Sequence, residues 1–283
     1  MFQRRTSGSV VCPACGSLVG VRDERCYTCG RSNPGLWGFA PALRRLGADM
    51  GLVPIVIGGS TILYVISLLL SGGNIGMRGM SILSPDTTSL FLLGASGSTP
   101  VFGTGRWWTI LSATWLHGNL LHILFNMLWV RQLGPASAEV VGPARTVIIY
   151  VISGAVGFLA SSVAGRYFPA IPFFVGAGFT VGASASIFGL LGALWHYGRV
   201  SGSSLIRGQA GQYALILFIF GIFMPGVDNY AHAGGFLGGY LVSAMMNPLQ
   251  SERGDHMILA AGCLIASLLA VAFSVFHGLQ FLG

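Results

Sequence analysis

Residues 182–199 read GASASIFGLLGALWHYGR, an apolar stretch of helical character with a small serine, Ser184, near its amino end. The first turn of a helix carries unpaired backbone N–H groups and a partial positive charge. A hydroxyl held there is well placed to attack a carbonyl whose oxygen becomes negative. Because small residues in this pattern are also common where membrane helices pack closely, Ser184 is either a nucleophile or a packing residue. Other parts of the sequence are needed to distinguish these two roles.

The composition is that of a membrane protein. Of the 283 residues, 53% are hydrophobic and only 8% are charged, whereas a soluble domain carries roughly a quarter charged residues. The 43 glycines are scattered through apolar runs, as expected where helices pack backbone to backbone in lipid. We therefore predict an all-α membrane protein whose surroundings are the lipid bilayer.

Seven apolar stretches are predicted to be membrane helices, and the first of them is long enough to cross the hydrocarbon core. They cover about residues 52–70, 118–133, 144–163, 182–197, 212–224, 228–246 and 257–276. We divide the chain into a small head (1–35), a basic linker (36–51), a core of six helices (52–246) and a segment with a seventh helix (247–283).

The distribution of arginine predicts the orientation. All 15 basic residues are arginine, and membrane proteins keep basic residues on the cytoplasmic side. With the amino terminus inside, twelve arginines are cytoplasmic and three are outside, namely Arg78, Arg106 and Arg166. We interpret the net charge of +7 as this topology signal and expect no nucleic-acid partner. The carboxyl terminus and the opening near Ser184 then face outward, and a bacterial inner membrane is the expected location.

The head contains CPACGSLVGVRDERCYTCG, with two C-x-x-C pairs separated by ten residues. Four thiolates at this spacing can close a tetrahedral metal site, which a short polar segment without its own core needs in order to fold. We predict a zinc-ribbon-like head holding a structural Zn²⁺ on Cys12, Cys15, Cys26 and Cys29. An iron site and a redox pair are the alternatives, and the partner of the head is unknown.

Polar residues are few in the apolar stretches, and such residues are functional by default. His122 and Asn126 are four residues apart and share a helix face. His232 lies beside glycines that let another helix approach closely, so it can meet Ser184 at the same depth. A serine with a histidine base is a nucleophile pair. Asp228 is the one acid nearby, and its place at a helix start favours an N-cap.

Together these residues resemble the rhomboid family of intramembrane serine proteases over about residues 53–246. The resemblance rests on HGNLLHILFN (117–126), GASASIFG (182–189) and AHAGGFLGG (231–239). It implies a rhomboid-like six-helix bundle with one further carboxyl-terminal helix. It implies that Ser184 is the nucleophile and His232 the general base. It also implies that the oxyanion hole is formed by His122, Asn126 and the Ser184 backbone N–H. Phe188 matches a ring that packs on the catalytic histidine, and His117 and Gly182 are the supporting motif residues.

One departure concerns the first external loop, where many members have Trp-Arg and this chain has Trp108-Thr109. We expect Arg106 to take the place of the missing guanidinium. The chain is thus expected to be a serine endopeptidase that needs no cofactor for catalysis and cuts transmembrane segments of other proteins near the outer face. Two alternatives are a proteolytically silent relative that binds or extracts membrane clients, and a transporter with His122 and His232 as proton relay, which lacks an intramembrane carboxylate.

Overall fold

The computed structural model describes residues 4–12, 15–39, 49–169 and 175–281. Most of the predicted basic linker, including Arg44 and Arg45, lies outside these ranges. The long helices in the described residues are α1 (Leu52–Ser71), α2 (Leu120–Val141), α3 (Pro143–Tyr167), α4 (Ser184–Val200), α5 (Ser204–Phe223), α6 (Asn229–Met245) and α7 (Gly254–Gly278).

Each predicted apolar stretch coincides with one of these helices, and two of the boundaries differ by eight residues. Helix α2 runs eight residues past the expected end at residue 133 and contains Pro135. Helix α5 begins eight residues before the expected start at residue 212, where Ser203 accepts a hydrogen bond from the backbone N–H of Ile206. In both cases backbone hydrogen bonding continues where the apolar pattern stops. By length and composition α1, α3, α5 and α7 are sufficient to cross a membrane, and the count of seven spans stays a prediction.

Helix α4, which begins with Ser184, is the central element of the bundle. It packs against α2, α3, α5 and α6, and most of its side chains are buried. Helix α1 packs on α2, and α7 packs on α3 from the outside of the bundle. The serine at the start of α4 therefore lies among other helices of the bundle.

Glycines bring α6 close to two neighbours at once. On one face, a β-carbon at Gly235 or Gly239 would collide with backbone carbonyls of α4. On another, a β-carbon at Gly238 would lie 3.0 Å from the side chain of Val156 in α3. Gly189 of α4 lies against Gly239 of α6, so both helices contribute a glycine to this contact.

The loop between α1 and α2 is built of short helical pieces. These are Gly79–Ser81, Thr87–Leu93, Thr99–Gly103, Thr109–Ser112 and Ala113–Trp115. The Arg106 guanidinium, fully buried, donates hydrogen bonds to the carbonyl oxygens of Phe91 at 2.7 Å and Ser274 at 2.8 Å. The Trp108 ring nitrogen donates to the Ser274 hydroxyl at 3.1 Å. Arg106 and Trp108 therefore fasten the α1–α2 loop to α7.

The head contains an antiparallel pair of strands, β1 (Ser9–Val11) and β2 (Leu18–Gly20). Val10, Val19 and Leu36 form its small apolar cluster, so the folded head continues past the expected boundary at residue 35. The head also touches the core, because the buried Arg31 guanidinium donates to the Met257 sulfur at 3.1 Å in the first turn of α7.

Candidate active site

Two side chains from different helices meet at one end of the bundle. Ser184 is the first residue of α4 and His232 the fourth residue of α6. The Ser184 Oγ and the His232 Nε2 lie 2.9 Å apart, which is hydrogen-bond distance. The close packing of α4 on α6 brings this pair together, and the geometry suits proton transfer from the hydroxyl to the imidazole.

The ring of His232 is held from one side by an aromatic residue. Phe188, one turn after Ser184, stacks on the imidazole with ring centroids 4.3 Å apart and planes 17° from parallel. The His232 Nδ1 is buried without a hydrogen-bond partner among the described residues. The serine and histidine therefore form a pair rather than a triad in this part of the chain.

Asp228 is engaged elsewhere. Its side chain accepts a hydrogen bond from the backbone N–H of Ala231 at 2.9 Å and another from the Ser161 hydroxyl. It is thus the N-cap of α6, as its place in the sequence predicts. Asp228 thus caps the helix that carries His232 and joins it to α3. Both contacts hold the imidazole in position.

The two predicted oxyanion-hole residues lie in the first two turns of α2. The Asn126 amide donates to the His122 carbonyl at 2.8 Å, and the His122 Nδ1 accepts from the Gly118 N–H at 3.3 Å. Since Nδ1 accepts, this hydrogen bond assigns the ring proton to Nε2. That nitrogen faces Gly182, where a β-carbon would lie only 2.6 Å from it.

An unusual backbone conformation places Gly182 beside the His122 ring. Its φ of +130° belongs to a region that residues with side chains rarely adopt, and its N–H donates to the Ala113 carbonyl at 3.0 Å. The missing side chain leaves room for the His122 ring. On the other side of that ring, the fully buried His117 packs edge-on with centroids 5.2 Å apart.

Ser184, His232, His122 and Asn126 line a single cavity of about 490 Å³. Apolar side chains of α2 and α5, including Leu121, Leu124, Leu128 and Phe220, form its walls. Phe125 of α2 stacks on Phe220 of α5 with centroids 5.9 Å apart. The polar groups are thus at one end of an apolar cleft between two helices, as suits an apolar peptide segment.

Three supporting residues were not identified from the sequence. Asn119 caps α2 by accepting from the His122 N–H at 2.7 Å, and an asparagine three residues ahead of a helical histidine is a recognisable capping signal. The other two are Ser161, which donates to Asp228, and Thr114, whose hydroxyl lies 3.1 Å from that of Ser186. They have no such signal because their partners are far away in sequence.

The four head cysteines come together as predicted. Their Sγ atoms all lie within 4.8 Å of one another, with 3.8 Å between Cys12 and Cys29 and 3.6 Å between Cys15 and Cys26. Sulfurs bound to one tetrahedral zinc at about 2.3 Å stand roughly 3.8 Å apart. The donor set and its spacing therefore fit a zinc ion.

The two cysteine pairs have matching backbones. Gly16 and Gly30 each donate to the carbonyl of the first cysteine of their pair, and both have positive φ, +77° and +71°. Side-chain and backbone hydrogen bonds from Ser17 lower the pKa of the Cys15 thiol to about 6. Burial raises the pKa of Cys29 to about 12.

Comparison with known proteins agrees with the motifs. The family model described as Rhomboid domain matches residues 104–248. The chain is 31% identical over 200 residues to the rhomboid protease GluP of Bacillus subtilis (strain 168). The aligned region covers 70% of this chain and 36% of that protein. It is 29% identical over 212 residues to RHOMBOID-like protein 1 of Arabidopsis thaliana, covering 68% of this chain and 52% of the relative.

A further relative carries a different description. The chain is 28% identical over 161 residues to the inactive RHOMBOID-like protein 8 of Arabidopsis thaliana, covering 55% of this chain and 43% of the relative. The chain thus spans between about a third and a half of the length of these three curated relatives.

Proposed function

The chain belongs to the rhomboid family, and we propose that it is an intramembrane serine endopeptidase with a Ser184–His232 dyad. The observation that carries the proposal is the 2.9 Å contact between the Ser184 Oγ and the His232 Nε2. Both groups open into an apolar cavity inside a bundle of membrane-type helices. The naming of one relative as a rhomboid protease supports the same reaction class.

In the proposed reaction, the Ser184 Oγ attacks the carbonyl carbon of the scissile peptide bond while His232 Nε2 takes the hydroxyl proton. The resulting tetrahedral intermediate collapses as His232 returns that proton to the leaving amine, which leaves an acyl ester on Ser184. A water molecule then attacks the ester carbon while His232 takes its proton, and His232 returns this proton to the Ser184 Oγ as the ester bond breaks and the carboxyl product leaves. Stacking on Phe188 keeps the imidazole facing the serine through both steps.

We assign stabilisation of the negative oxygen to His122, Asn126 and the Ser184 backbone N–H. The His122 Nε2 proton is directed toward the loop that enters α4. The Asn126 amide has a second N–H besides the one donated to the His122 carbonyl. Donors held in place before the reaction stabilise developing charge without reorganisation.

The proposed substrates are transmembrane segments of other proteins. The cleft between α2 and α5 is walled by apolar side chains, so a lipid-embedded segment can enter it without exposing apolar surface to water. A peptide bond in a helix is shielded by its neighbours, and we therefore expect cutting near small or helix-breaking residues that let the segment unwind.

For the whole chain we propose seven spans, with the amino terminus cytoplasmic and the cavity opening at the outer face of a bacterial inner membrane. The arginine distribution supports this orientation. The head would hold a structural Zn²⁺ on Cys12, Cys15, Cys26 and Cys29, and in the reducing cytoplasm these thiols stay available as ligands. Catalysis itself needs no metal in this scheme.

Labelling with a fluorophosphonate probe separates the protease from a proteolytically silent client-binding relative. The probe phosphonylates an activated serine with loss of fluoride. We expect the wild-type protein in detergent to be labelled and Ser184→Ala not to be. The silent alternative predicts that the wild-type protein remains unlabelled. It is worth testing because one plant relative is named as inactive. Ser186→Ala, which changes a neighbouring buried serine bonded to Thr114, is the matched control and should label normally.

A further inference from the structure

The head has a second concave site besides its cysteine cluster. A cavity of about 290 Å³, which we call the head pocket, lies at the surface of the head, and no cysteine lines it. Residues around it include Arg4, Arg5, Thr6, Arg22, Asp23 and Trp37. Three segments of the chain meet here, so the pocket depends on the folded head.

The charge of the head pocket is positive. Arg4, Arg5 and Arg22 each donate one N–H to a backbone carbonyl, at 2.9, 3.2 and 3.2 Å respectively, and a guanidinium has five N–H donors. Within the described part of the chain none of the three forms an ion pair. The carboxylate of Asp23, which also lines the pocket, accepts from the Gly20 N–H at 2.7 Å. Three arginines face this one carboxylate, and the excess positive charge can attract an anion.

The wall of the head pocket has an unusual backbone. Asn33, Leu36 and Trp37 have φ values of +48°, +49° and +53°, and all three line the pocket. Asparagine tolerates this conformation, whereas leucine and tryptophan adopt it rarely, and such strain clusters at ligand sites. Here the turn buries Leu36 in the head and leaves the Trp37 ring 64% exposed.

The head lies at the level of the helix ends. Arg31 bonds to Met257 in the first turn of α7, and Leu52, where α1 begins, follows Phe39 by thirteen residues. Exposed tryptophans are typical of the zone where a membrane meets water. The exposed Trp37 and the half-exposed Phe39 therefore suit a position at the membrane surface.

We propose that the head pocket binds the phosphate-bearing headgroup of an anionic phospholipid in the adjacent leaflet. Arg4, Arg5 and Arg22 contact the phosphate, and Trp37 lies at the lipid–water boundary. An anionic lipid is favoured because the head pocket is positively charged and the cytoplasmic leaflet is anionic. The inference rests on the family's place in the membrane and on the predicted cytoplasmic side of the head, and it is independent of the proposed protease activity.

The test is lipid binding to the purified full chain, measured by native mass spectrometry with phosphatidylglycerol or phosphatidylcholine added in turn. We expect the wild-type protein to retain phosphatidylglycerol in preference. Arg22→Gln should bind it about fivefold more weakly, since one arginine near a lipid surface contributes about that factor. Arg25→Gln is the matched control, because Arg25 is also exposed on the head but does not line the pocket.

Three results would overturn the proposal: equal retention of the two lipids, equal loss in Arg22→Gln and Arg25→Gln, or full displacement of the lipid by millimolar inorganic phosphate. The last would identify a site for a soluble phosphate compound instead. Limited proteolysis of the head checks that each variant is folded. If Arg22→Gln fails that check, Arg5→Gln replaces it with the same expected loss.

Discussion

Gly239 in α6 lies directly against Gly189 in α4, so closely that a β-carbon at residue 239 would collide with the Gly189 carbonyl oxygen. These two helices carry the two members of the candidate dyad, Ser184 and His232. The distance between the helices therefore sets the distance between the reacting groups.

We predict that Gly239→Ala lowers the cleavage rate strongly, because the added methyl group forces α6 away from α4 and lengthens the Ser184–His232 contact. A displacement of about 1 Å at a catalytic group costs on the order of 100-fold in rate. Gly208→Ala in α5 is the control, since a β-carbon there meets nothing within 4 Å. Equal rates for the two variants, measured with a transmembrane substrate, would show that glycine packing does not position the dyad.

Removal of either proposed oxyanion donor should slow the enzyme without stopping it. Asn126→Ala and His122→Ala are each expected to lower kcat by about 10²- to 10³-fold, since the nucleophile and base stay in place. Asn74→Ala changes an exposed loop asparagine and should cut at the wild-type rate. If both cavity variants also cut at that rate, the two residues are structural.

The buried Arg106 is predicted to stabilise the α1–α2 loop against α7. Arg106→Gln leaves the carbonyls of Phe91 and Ser274 without their charged donor, and each such bond contributes about 1.5–3 kcal/mol. The free energy of unfolding should fall by about 3 kcal/mol, which appears as a lower thermal midpoint in detergent. Arg78→Gln, at an exposed loop arginine, should keep the wild-type midpoint, and so would Arg106→Gln if the loop were held by other contacts.

The head is expected to carry about one zinc per chain, bound by four thiolates. Cys15→Ser should release it and unfold the head, because a segment of this size depends on its metal. Cys263→Ser, which changes a cysteine outside the cluster, should keep the metal. Elemental analysis of the purified proteins measures this. A full-length protein with no zinc, or a Cys15→Ser variant that retains it, would contradict the assignment.

Much of the site could be predicted from the sequence because its signals are local. Ser184 at a helix start, His232 among glycines, and the four-residue spacing of His122 and Asn126 are patterns that backbone geometry turns directly into positions. The apolar stretches located the seven long helices of the described ranges, because the period and length of apolar residues follow burial in protein or lipid.

The rest depends on contacts between distant parts of the chain. Arg106 binds carbonyl oxygens, which every residue has and no sequence pattern marks. The fit of the His122 ring against Gly182 depends on a loop conformation that the sequence does not specify. The end of α2 and the start of α5 could not be predicted, because polar residues interrupt the apolar pattern there. Hydropathy reports burial and not backbone hydrogen bonding.

The dyad is tested most directly by cleavage in proteoliposomes. Purified protein is reconstituted with a reporter protein whose single transmembrane segment contains a glycine–alanine site near its outer end, and fragments are identified by mass spectrometry. Ser184→Ala and His232→Ala are each expected to lose at least about 10⁴-fold in rate, since the members of a nucleophile pair act as a unit. Ser186→Ala should retain most activity. The account predicts one cut within the membrane segment by wild type and Ser186→Ala alone, and it is contradicted if Ser184→Ala or His232→Ala produces the same fragment at a comparable rate or if wild type produces none.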